Sequence, residues 1–144
     1  MINNNILSPV DGTIMAIDIV HGEYSIYCDV GLFDGSSLLA PVDGSLNIKS
    51  IIRGINLSCD TYKARQLNQR AIVEFPHVTL GFLGGVCSSK IKLDSKEEVK
   101  QCEKFGKFNN GVVLIKFSLQ IDLTIQIGDK VKAGQTIIGK YDGQ

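Results

Sequence analysis

Two stretches of the chain alternate between apolar and polar residues. In residues 115–126 every second residue is apolar, from Ile115 to Ile125, and the residues between them are polar. Residues 24–30 follow the same rule. Because successive side chains of a strand point to opposite faces, both stretches predict strands with one buried face. The longer stretch predicts one long strand or two collinear strands.

Shorter runs of this kind predict further strands at residues 13–20, 45–52, 71–75, 78–83, 90–93 and 136–141. Glycine tolerates the positive φ of tight turns. Such turns are predicted between apolar runs at Asp11-Gly12, Asp43-Gly44, Asn110-Gly111, Gly128-Asp129 and Ala133-Gly134. Helix signals are scarce: residues 95–98 have the form of a capping box before Val99 and Cys102, and residues 60–69 predict another short helical turn. The chain is therefore predicted to be mainly β with one or two short helices.

A five-residue motif occurs twice. Residues 8–12 read Ser-Pro-Val-Asp-Gly, residues 40–44 read Ala-Pro-Val-Asp-Gly, and a strand-like run follows each copy. Proline restricts φ at the entry to a turn, and aspartate can accept a backbone hydrogen bond beyond it. A third turn, at residues 128–134, closes the chain. With no linker between these parts, the pattern predicts a single domain over residues 1–144, arranged as a barrel-sandwich hybrid of two facing layers.

Charge and composition exclude several classes of function. Fifteen acidic and fifteen basic residues cancel, so no net field favours nucleic acid. The N-terminus does not have the form of a secretory signal, and no apolar run reaches the roughly 18 residues that span a bilayer. Four scattered cysteines without a C-x-x-C pair predict reduced thiols and no metal site. We therefore expect a cytoplasmic protein with no integral membrane segment.

Three families combine such turns with a sandwiched β fold. Lipoyl and biotinyl carriers need a modifiable lysine at a hairpin tip, and Lys130 offers only a superficial match because its surroundings resemble an ordinary turn of those domains. The sugar phosphotransfer IIA domain needs two neighbouring histidines. Neither His21 nor His77 has the sequence context of that family. Both carrier functions remain alternatives.

The third family is phosphatidylserine decarboxylase, which the chain resembles over nearly its whole length. Residues 8–12 are similar to its opening S-P-x-D-G, and residues 34–44 to its D-V-H-x-N-R-x-P-x-x-G. Residues 67–70 resemble its E-N-E-R, and residues 128–134 its closing G-D-K-V-K-A-G. The resemblance implies a β domain that cleaves itself at a Gly-Ser pair. The serine becomes a pyruvoyl group, which forms a Schiff base with the substrate amine during decarboxylation.

The cleavage pair is absent from this chain. Where the family has F-G-S-T before V-V-L, residues 108–114 read Phe-Asn-Asn-Gly-Val-Val-Leu, so Asn109, Asn110 and Gly111 replace Gly-Ser-Thr. The reaction needs a β-oxygen or β-sulfur that attacks and later departs, and asparagine has neither. Ser118 lies within a regular strand pattern, and Ser88 and Ser89 lie well upstream, so no serine replaces it. We expect no pyruvoyl cofactor, and no other cofactor or metal.

Other residues of the resembled site have changed as well. The aspartate that the family uses is present as Asp34, but the histidine of its general base is Ser36, and the arginine of its N-R is Leu39. Loss of a general base costs roughly 10²- to 10⁴-fold in rate. Arg70 and His77 are candidate ligand-binding residues, although a structural ion pair would explain Arg70 and a loop position would explain His77.

The leading hypothesis is a decarboxylase-like protein that does not process itself and acts by binding, as a pseudoenzyme. Its ligand would be a small amine, a phospholipid head group or another protein, and a homo-oligomer is possible because exposed sheet edges often pair. An active decarboxylase with an unidentified nucleophile is the alternative. On a purely structural interpretation, residues 109–111 form a hairpin turn, for which Asn-Gly is a strong signal.

Overall fold

The structure, a computed structural model, describes residues 5–31, 37–52, 70–84, 92–94, 96–108 and 111–141. Fifteen strands lie within these residues. They are β1 (Asn5–Leu7), β2 (Gly12–Val20), β3 (Glu23–Val30), β4 (Ser37–Leu39), β5 (Gly44–Ser45), β6 (Asn47–Ile52), β7 (Arg70–Phe75), β8 (Val78–Gly84), β9 (Lys92–Leu93), β10 (Glu98–Val99), β11 (Lys104–Lys107), β12 (Gly111–Ser118), β13 (Asp122–Leu123), β14 (Lys130–Val131) and β15 (Ile137–Lys140). The mainly β prediction is confirmed.

The described strands form four sheets, none of which closes into a barrel. The largest has seven strands in the order β14-β2-β3-β12-β8-β7-β6, and every neighbouring pair is antiparallel. Two three-stranded sheets, β4-β11-β9 and β1-β15-β13, and the pair β10-β5 complete the set. Most strands therefore pair with distant parts of the chain.

The core lies on one face of the seven-stranded sheet. Along β12 the burial alternates, so Val113, Ile115 and Phe117 are fully buried while the residues between them are partly exposed. Strand β11 packs against this inner face. The ring of Phe105 meets Phe75 with centroids 5.2 Å apart, and the ring of Phe108 meets Phe82 at 5.4 Å. Edge-on and tilted aromatic pairs of this kind stabilise a packed interior.

One of the two alternating stretches lies within a single strand, and the longer one does not. The stretch at residues 24–30 lies within β3, as expected. Residues 115–126 are not one strand or two collinear ones, because the chain turns after Ser118 and β13 pairs with β15 in another sheet. The Ile121 N–H donates to the Ser118 carbonyl across this turn (3.0 Å). The alternation continues through the turn because each segment buries its own apolar side.

The predicted helix at residues 95–98 is wrong, since Glu98 and Val99 form strand β10 and no helix occurs among the described residues. The spacing of Val99 and Cys102 looked helical, but Val99 is buried beside β5 while Cys102 is exposed with a φ of 71°. Such a φ ends regular structure. The other helix prediction, at residues 60–69, lies outside the described residues.

Each copy of the repeated motif is hydrogen-bonded to a loop that is remote in sequence. Asp11 Oδ1 accepts a hydrogen bond from the Ala133 N–H (2.7 Å), and Asp43 Oδ1 accepts one from the Gln101 N–H (2.5 Å). We call residues 128–136 the C-terminal clasp, which holds residues 8–12, and residues 96–104 the central clasp, which holds residues 40–44. The repeat thus has a structural basis in the role of its aspartate.

The two clasps are related by a constant offset of 32 residues, which also separates the two motifs (Gly12 to Gly44). The Gly134 N–H donates to the Ser8 carbonyl as the Cys102 N–H donates to the Ala40 carbonyl (2.9 Å each). The Ile14 N–H donates to the Asp129 carbonyl (2.9 Å) as the Leu46 N–H donates to the Glu97 carbonyl (2.8 Å). The Leu7 N–H donates to the Pro41 carbonyl (3.1 Å) as the Leu39 N–H donates to the Pro9 carbonyl (3.0 Å). Val131 pairs with Gly12 as Val99 pairs with Gly44. The arrangement is an approximate internal two-fold.

Candidate functional site

The resembled cleavage position lies where the chain passes from one sheet to another. Gly111 begins β12, which is central in the seven-stranded sheet, and it pairs with Val30 on one side and Gly84 on the other. Lys107 ends β11, which is central in a three-stranded sheet, and it pairs with Ser37 on one side and Lys92 on the other. The connection through residues 108–110 therefore joins the middle strands of two sheets.

Two other connections run between the same pair of sheets. Residues 31–36 lead from Val30 to Ser37, and residues 85–91 lead from Gly84 to Lys92. The described ends of the three connections thus lie side by side, with Val30, Gly111 and Gly84 at one end and Ser37, Lys107 and Lys92 at the other. The topology brings together the ends of three segments that are remote in sequence.

These connections contain most of the candidate site residues. Asp34 and Ser36 belong to one of them, and Asn109 and Asn110 belong to the middle one; all four lie outside the described residues. Their described flanks are hydrogen-bonded strand partners, so the two groups are anchored beside each other at both ends. The sequence resemblance predicted one site from these residues, and the strand register is compatible with it.

The hairpin interpretation of residues 109–111 is wrong. In a hairpin the strands on either side of the turn pair with each other, but β11 pairs with β4 and β9, whereas β12 pairs with β3 and β8. An Asn-Gly pair favours a tight turn, but it does not specify which strands pair on either side of it. The segment is a crossing between sheets.

The two residues that adjoin Asn109 and Asn110, Phe108 and Gly111, are buried. Phe108 is 1% exposed and packs on Phe82, and Gly111 and Val30 are also buried. A polar group held against such a surface loses hydration and must find hydrogen bonds within the protein. A carboxylate or amine at this place would accordingly interact more strongly with neighbouring polar groups than it does in water.

Arg70 lies at the same end of the seven-stranded sheet but on its outer face. It pairs with Leu83, whose other neighbour is Val112, the residue after Gly111. Its side chain is exposed, while the next residue, Ala71, faces the core and is 1% exposed. Arg70 is therefore near the crossing along the strand, on the side of the sheet away from Phe108.

His77 is distant from this end. It occupies the two-residue turn between β7 and β8 with a φ of 69°, and it is exposed, with its ring 5.2 Å from that of Tyr141. Strand β7 separates it from Arg70 by about 17 Å of extended chain. The structure does not bring the two candidate ligand-binding residues together. His21 is likewise an exposed turn residue, at the tip of the β2–β3 hairpin.

Charged groups away from the crossing shift the pKa of Glu103. The Lys96 ammonium donates a hydrogen bond to Glu103 and, with the Lys100 backbone N–H, holds the pKa of that carboxyl below its usual 4.5. This pair belongs to the central clasp. Within the described ranges no three His, Cys, Asp or Glu side chains gather as metal ligands do. Among those same residues, none forms a helix of the length and apolarity that a bilayer crossing requires.

Sequence reasoning missed the third connection at this site. Ser88 and Ser89 lie well upstream in sequence, yet their connection, residues 85–91, is bounded by the strand partners of Gly111 and Lys107. The predicted strands at residues 78–83 and 90–93 were a signal, because two strands joined by a loop must each find a partner. Their partners depend on the tertiary fold.

Comparisons with known proteins agree with this geometry. Residues 1–139 match the family described as phosphatidylserine decarboxylase. A phosphatidylserine decarboxylase proenzyme of Nitrosomonas eutropha is 26% identical over 157 residues, which cover 94% of this chain and 69% of the relative. The proenzyme of Ralstonia nicotianae is 27% identical over 160 residues, which cover 96% and 71%. No solved structure shows significant similarity to the chain.

Proposed function

Because this chain belongs to the phosphatidylserine decarboxylase family, we propose that it is a member that neither cleaves itself nor carries a pyruvoyl group, and that it acts by binding. The observation that carries this proposal is the sequence of the connection between β11 and β12. The family's Gly-Ser pair is replaced by Asn109 and Asn110, between the buried residues Phe108 and Gly111.

The residues present do not fit the prosthetic group of the family. Its formation begins with attack by a side-chain oxygen or sulfur on the preceding carbonyl, and it ends with loss of that atom from the β-carbon. The Asn110 side chain carries a carboxamide carbon at that place. The neighbouring connection has Ser36 where the family has its base, so nucleophile and base are both absent. We assign no decarboxylation step to this chain.

The described flanks of the crossing support a binding role. The described ends of the three connections lie side by side there, next to the buried Phe108–Phe82 pair, and a polar ligand held beside such a surface exchanges its hydration for hydrogen bonds with the protein. We propose a small amine or a phospholipid head group as the ligand, since the curated relatives are named for phosphatidylserine. The proposal includes a cytoplasmic location, which cell fractionation tests.

One observation favours an active enzyme as the second candidate. The connection of residues 85–91, which contains Ser88 and Ser89, borders the middle crossing on its Gly84 side. In this candidate, a serine of the segment replaces the missing nucleophile, and the chain break falls before residue 88 or 89. The position of a break distinguishes the two candidates.

Intact mass spectrometry of the purified chain tests the proposal. We expect a single species at the 15.7 kDa of the full sequence and no reaction with an aminooxy reagent, which captures ketones. The Ralstonia nicotianae proenzyme, expressed and treated identically, is the positive control. Two fragments, one of them with a blocked N-terminus, would contradict the proposal. A fragment of residues 1–87 or 1–88 would favour the second candidate.

Restoring the family's residues sharpens the chemical argument. We expect the variant Asn109→Gly/Asn110→Ser to process itself at no more than about 1% of the rate of the same variant with Ser36→His, because a general base contributes roughly 10²- to 10⁴-fold. Gel densitometry over days measures both rates. Equal rates would contradict the role assigned to position 36.

Binding is tested by titrating phosphoserine and phosphoethanolamine into the labelled protein and following backbone amide resonances. We expect shifts at Val30, Gly84 and Gly111, which surround the crossing. Gly22, at the opposite end of β3, is the internal control. Shifts at Gly22 with none at Gly111, or no shift at millimolar ligand, would contradict a head-group site at the crossing.

A further inference from the structure

The two three-stranded sheets each have a lysine in the central strand, and the surroundings of the two lysines differ. Lys140 lies in β15, where one of its two cross-strand partners is Asp122. Lys107 lies in β11, where its cross-strand partners are Ser37 and Lys92. The first lysine therefore lies opposite a carboxylate, and the second lies opposite another ammonium group.

Ser37, Lys107 and Lys92 form one row across β4, β11 and β9, which we call the lysine row. All three residues are exposed, whereas the adjacent residues Leu38 and Gly106 are buried. Directly opposite side chains on neighbouring strands have Cβ atoms about 5 Å apart, and like charges at this separation destabilise a sheet. A bound anion would remove this repulsion.

No described carboxylate forms an ion pair with the lysine row. Two ion pairs occur among the described residues, one between β6 and β7 and one in the central clasp, and neither includes Lys92 or Lys107. Asp94 is exposed two residues after Lys92, but it forms no ion pair with either lysine. A lysine on an edge strand such as β9 can prevent edge-to-edge pairing of sheets. That role explains Lys92 alone, because Lys107 lies on the central strand.

The lysine row adjoins the candidate site along the chain. Lys107 is the last residue of β11 before the connection to β12, and Ser37 and Lys92 are the described ends of the other two connections. A ligand at the described ends of these connections therefore has two ammonium groups and a hydroxyl as neighbours.

We propose that the lysine row binds the phosphate of a phosphomonoester, with Lys92, Lys107 and Ser37 donating hydrogen bonds to its oxygens. Two ammonium groups on neighbouring stems match an anion with two negative charges. A phosphomonoester carries a charge of about −1.5 to −2 at pH 7, whereas the phosphodiester of a phospholipid has a single ionisable oxygen. The assignment rests on the proposed binding function, and it narrows the ligand to a small phosphorylated amine that is not part of a lipid.

A discrete anion fits this sheet better than an anionic lipid surface does. Recruitment to such a surface takes clusters of roughly four to eight lysines or arginines. The described strands β4, β9 and β11 contain three exposed lysines, at positions 92, 104 and 107, and the exposed Asp94 follows β9 directly. The formal net charge of the whole chain is zero, so no long-range field adds to the attraction.

Titration of three ligands at constant ionic strength tests the ligand class. Ethanolamine lacks the phosphate, glycerophosphoethanolamine carries it as a diester, and phosphoethanolamine carries it as a monoester. We expect phosphoethanolamine to shift the amide resonances of Lys92 and Lys107 and to bind at least about threefold more tightly than the other two, because it alone carries the second charge. Equal affinity for the monoester and the diester would contradict the assignment.

Substitutions in the lysine row test the residues. Lys92→Gln and Lys107→Gln should each weaken phosphoethanolamine binding about threefold, and the double variant about tenfold, since an exposed ion pair contributes modestly. Lys140→Gln is the matched control, because it removes an exposed lysine from the central strand of the other three-stranded sheet, and it should bind like the wild type. Urea denaturation should show that every variant folds, as removal of a like charge does not destabilise the sheet.

The same titrations separate this assignment from the proposed function. Phosphoethanolamine shifts at Gly111 that persist at full affinity in the double variant would overturn the lysine row and leave the head-group site intact. Shifts at Lys92 and Lys107 of the wild type with none at Gly111 would support the lysine row and contradict the site at the crossing. Equal weakening by Lys140→Gln and Lys107→Gln would indicate a response to net charge alone and would overturn the assignment.

Discussion

The C-terminal clasp and the central clasp share several backbone hydrogen bonds and differ in their side chains. In both, an aspartate accepts a hydrogen bond from a backbone N–H of the clasp, and the residue directly after that N–H donor has a φ of 71°. That residue is Gly134 in the C-terminal clasp and Cys102 in the central one. The C-terminal clasp therefore uses the residue that this conformation favours, whereas the central clasp tolerates strain there.

The central clasp has additional bonds that offset this strain. The Gln101 side chain donates to the carbonyls of Asn5 (2.8 Å) and Pro41 (2.9 Å), and so ties the clasp to two segments. Ala133, the equivalent residue, has no side chain that could do this. The comparison shows that one backbone arrangement can be stabilised either by local conformation or by tertiary hydrogen bonds.

Removal of the two aspartates should affect stability most, and by different amounts in the two clasps. Asp11→Ala leaves the half-buried Ala133 N–H without its acceptor and should lower the free energy of unfolding by about 2 kcal/mol. Asp43→Ala should cost about 1 kcal/mol, because that bond is exposed and Gln101 keeps its other contacts. Urea denaturation measures both. Asp18→Ala, an exposed change in β2, is the control, and a larger loss at Asp43 would contradict the comparison.

Exchange of the residues at positive φ should give effects of opposite sign. Gly134→Ala should cost about 1 to 2 kcal/mol through its conformation, and its new Cβ would lie 2.9 Å from Leu39 Cδ1, which can move aside. Cys102→Gly should not lower the free energy of unfolding and can raise it by up to about 1 kcal/mol, since glycine adopts the same positive φ without strain. Thermal denaturation measures both changes. Effects of the same sign would show that strain does not distinguish the clasps.

The smallest expected difference depends on pH. In the central clasp the Glu103 carboxylate accepts a hydrogen bond from the Lys100 N–H. In the C-terminal clasp the equivalent Lys132 N–H donates to the Thr136 hydroxyl, which does not titrate. Because the pKa of Glu103 is lowered on folding, its stabilisation is present above pH 4.5 and is lost as the pH falls through the folded pKa.

Hydrogen exchange at single amides measures this effect. As the pH falls below 4.5, the Lys100 amide should lose protection relative to the Lys132 amide after correction for intrinsic exchange. Glu103→Gln should abolish the difference in pH dependence. A parallel loss of protection at both amides would indicate global acid unfolding and would contradict a local origin.

Local pattern was sufficient for strand β3, which buries one face. Strand β3 and the β2–β3 turn at His21 and Gly22 follow from alternation and turn chemistry, because both depend on neighbours in sequence. The helix prediction at residues 95–98 was wrong because Val99 pairs with a strand of the motif, as Val131 does. This equivalence is a property of the tertiary structure of the two clasps. The repeated Val-Lys at residues 99–100 and 131–132 was a weak signal of it.

The candidate site divides in the same way. The absence of a β-oxygen at Asn110 is a property of the sequence, and no arrangement of the chain alters it. The pairing that sets residues 31–36 and 85–91 on either side of the middle crossing could not be predicted, since strands remote in sequence choose partners by the packing of whole faces.

The sequence by itself determined the mainly β character of this protein, the repeated turns and the absence of a β-oxygen at Asn110, since each depends on residue types and short spacings. Only the tertiary structure decided that β11 and β12, on either side of Asn109 and Asn110, belong to different sheets and that Arg70 and His77 lie apart. The physical reason is that strand order and register are set by long-range burial, which local preferences do not encode.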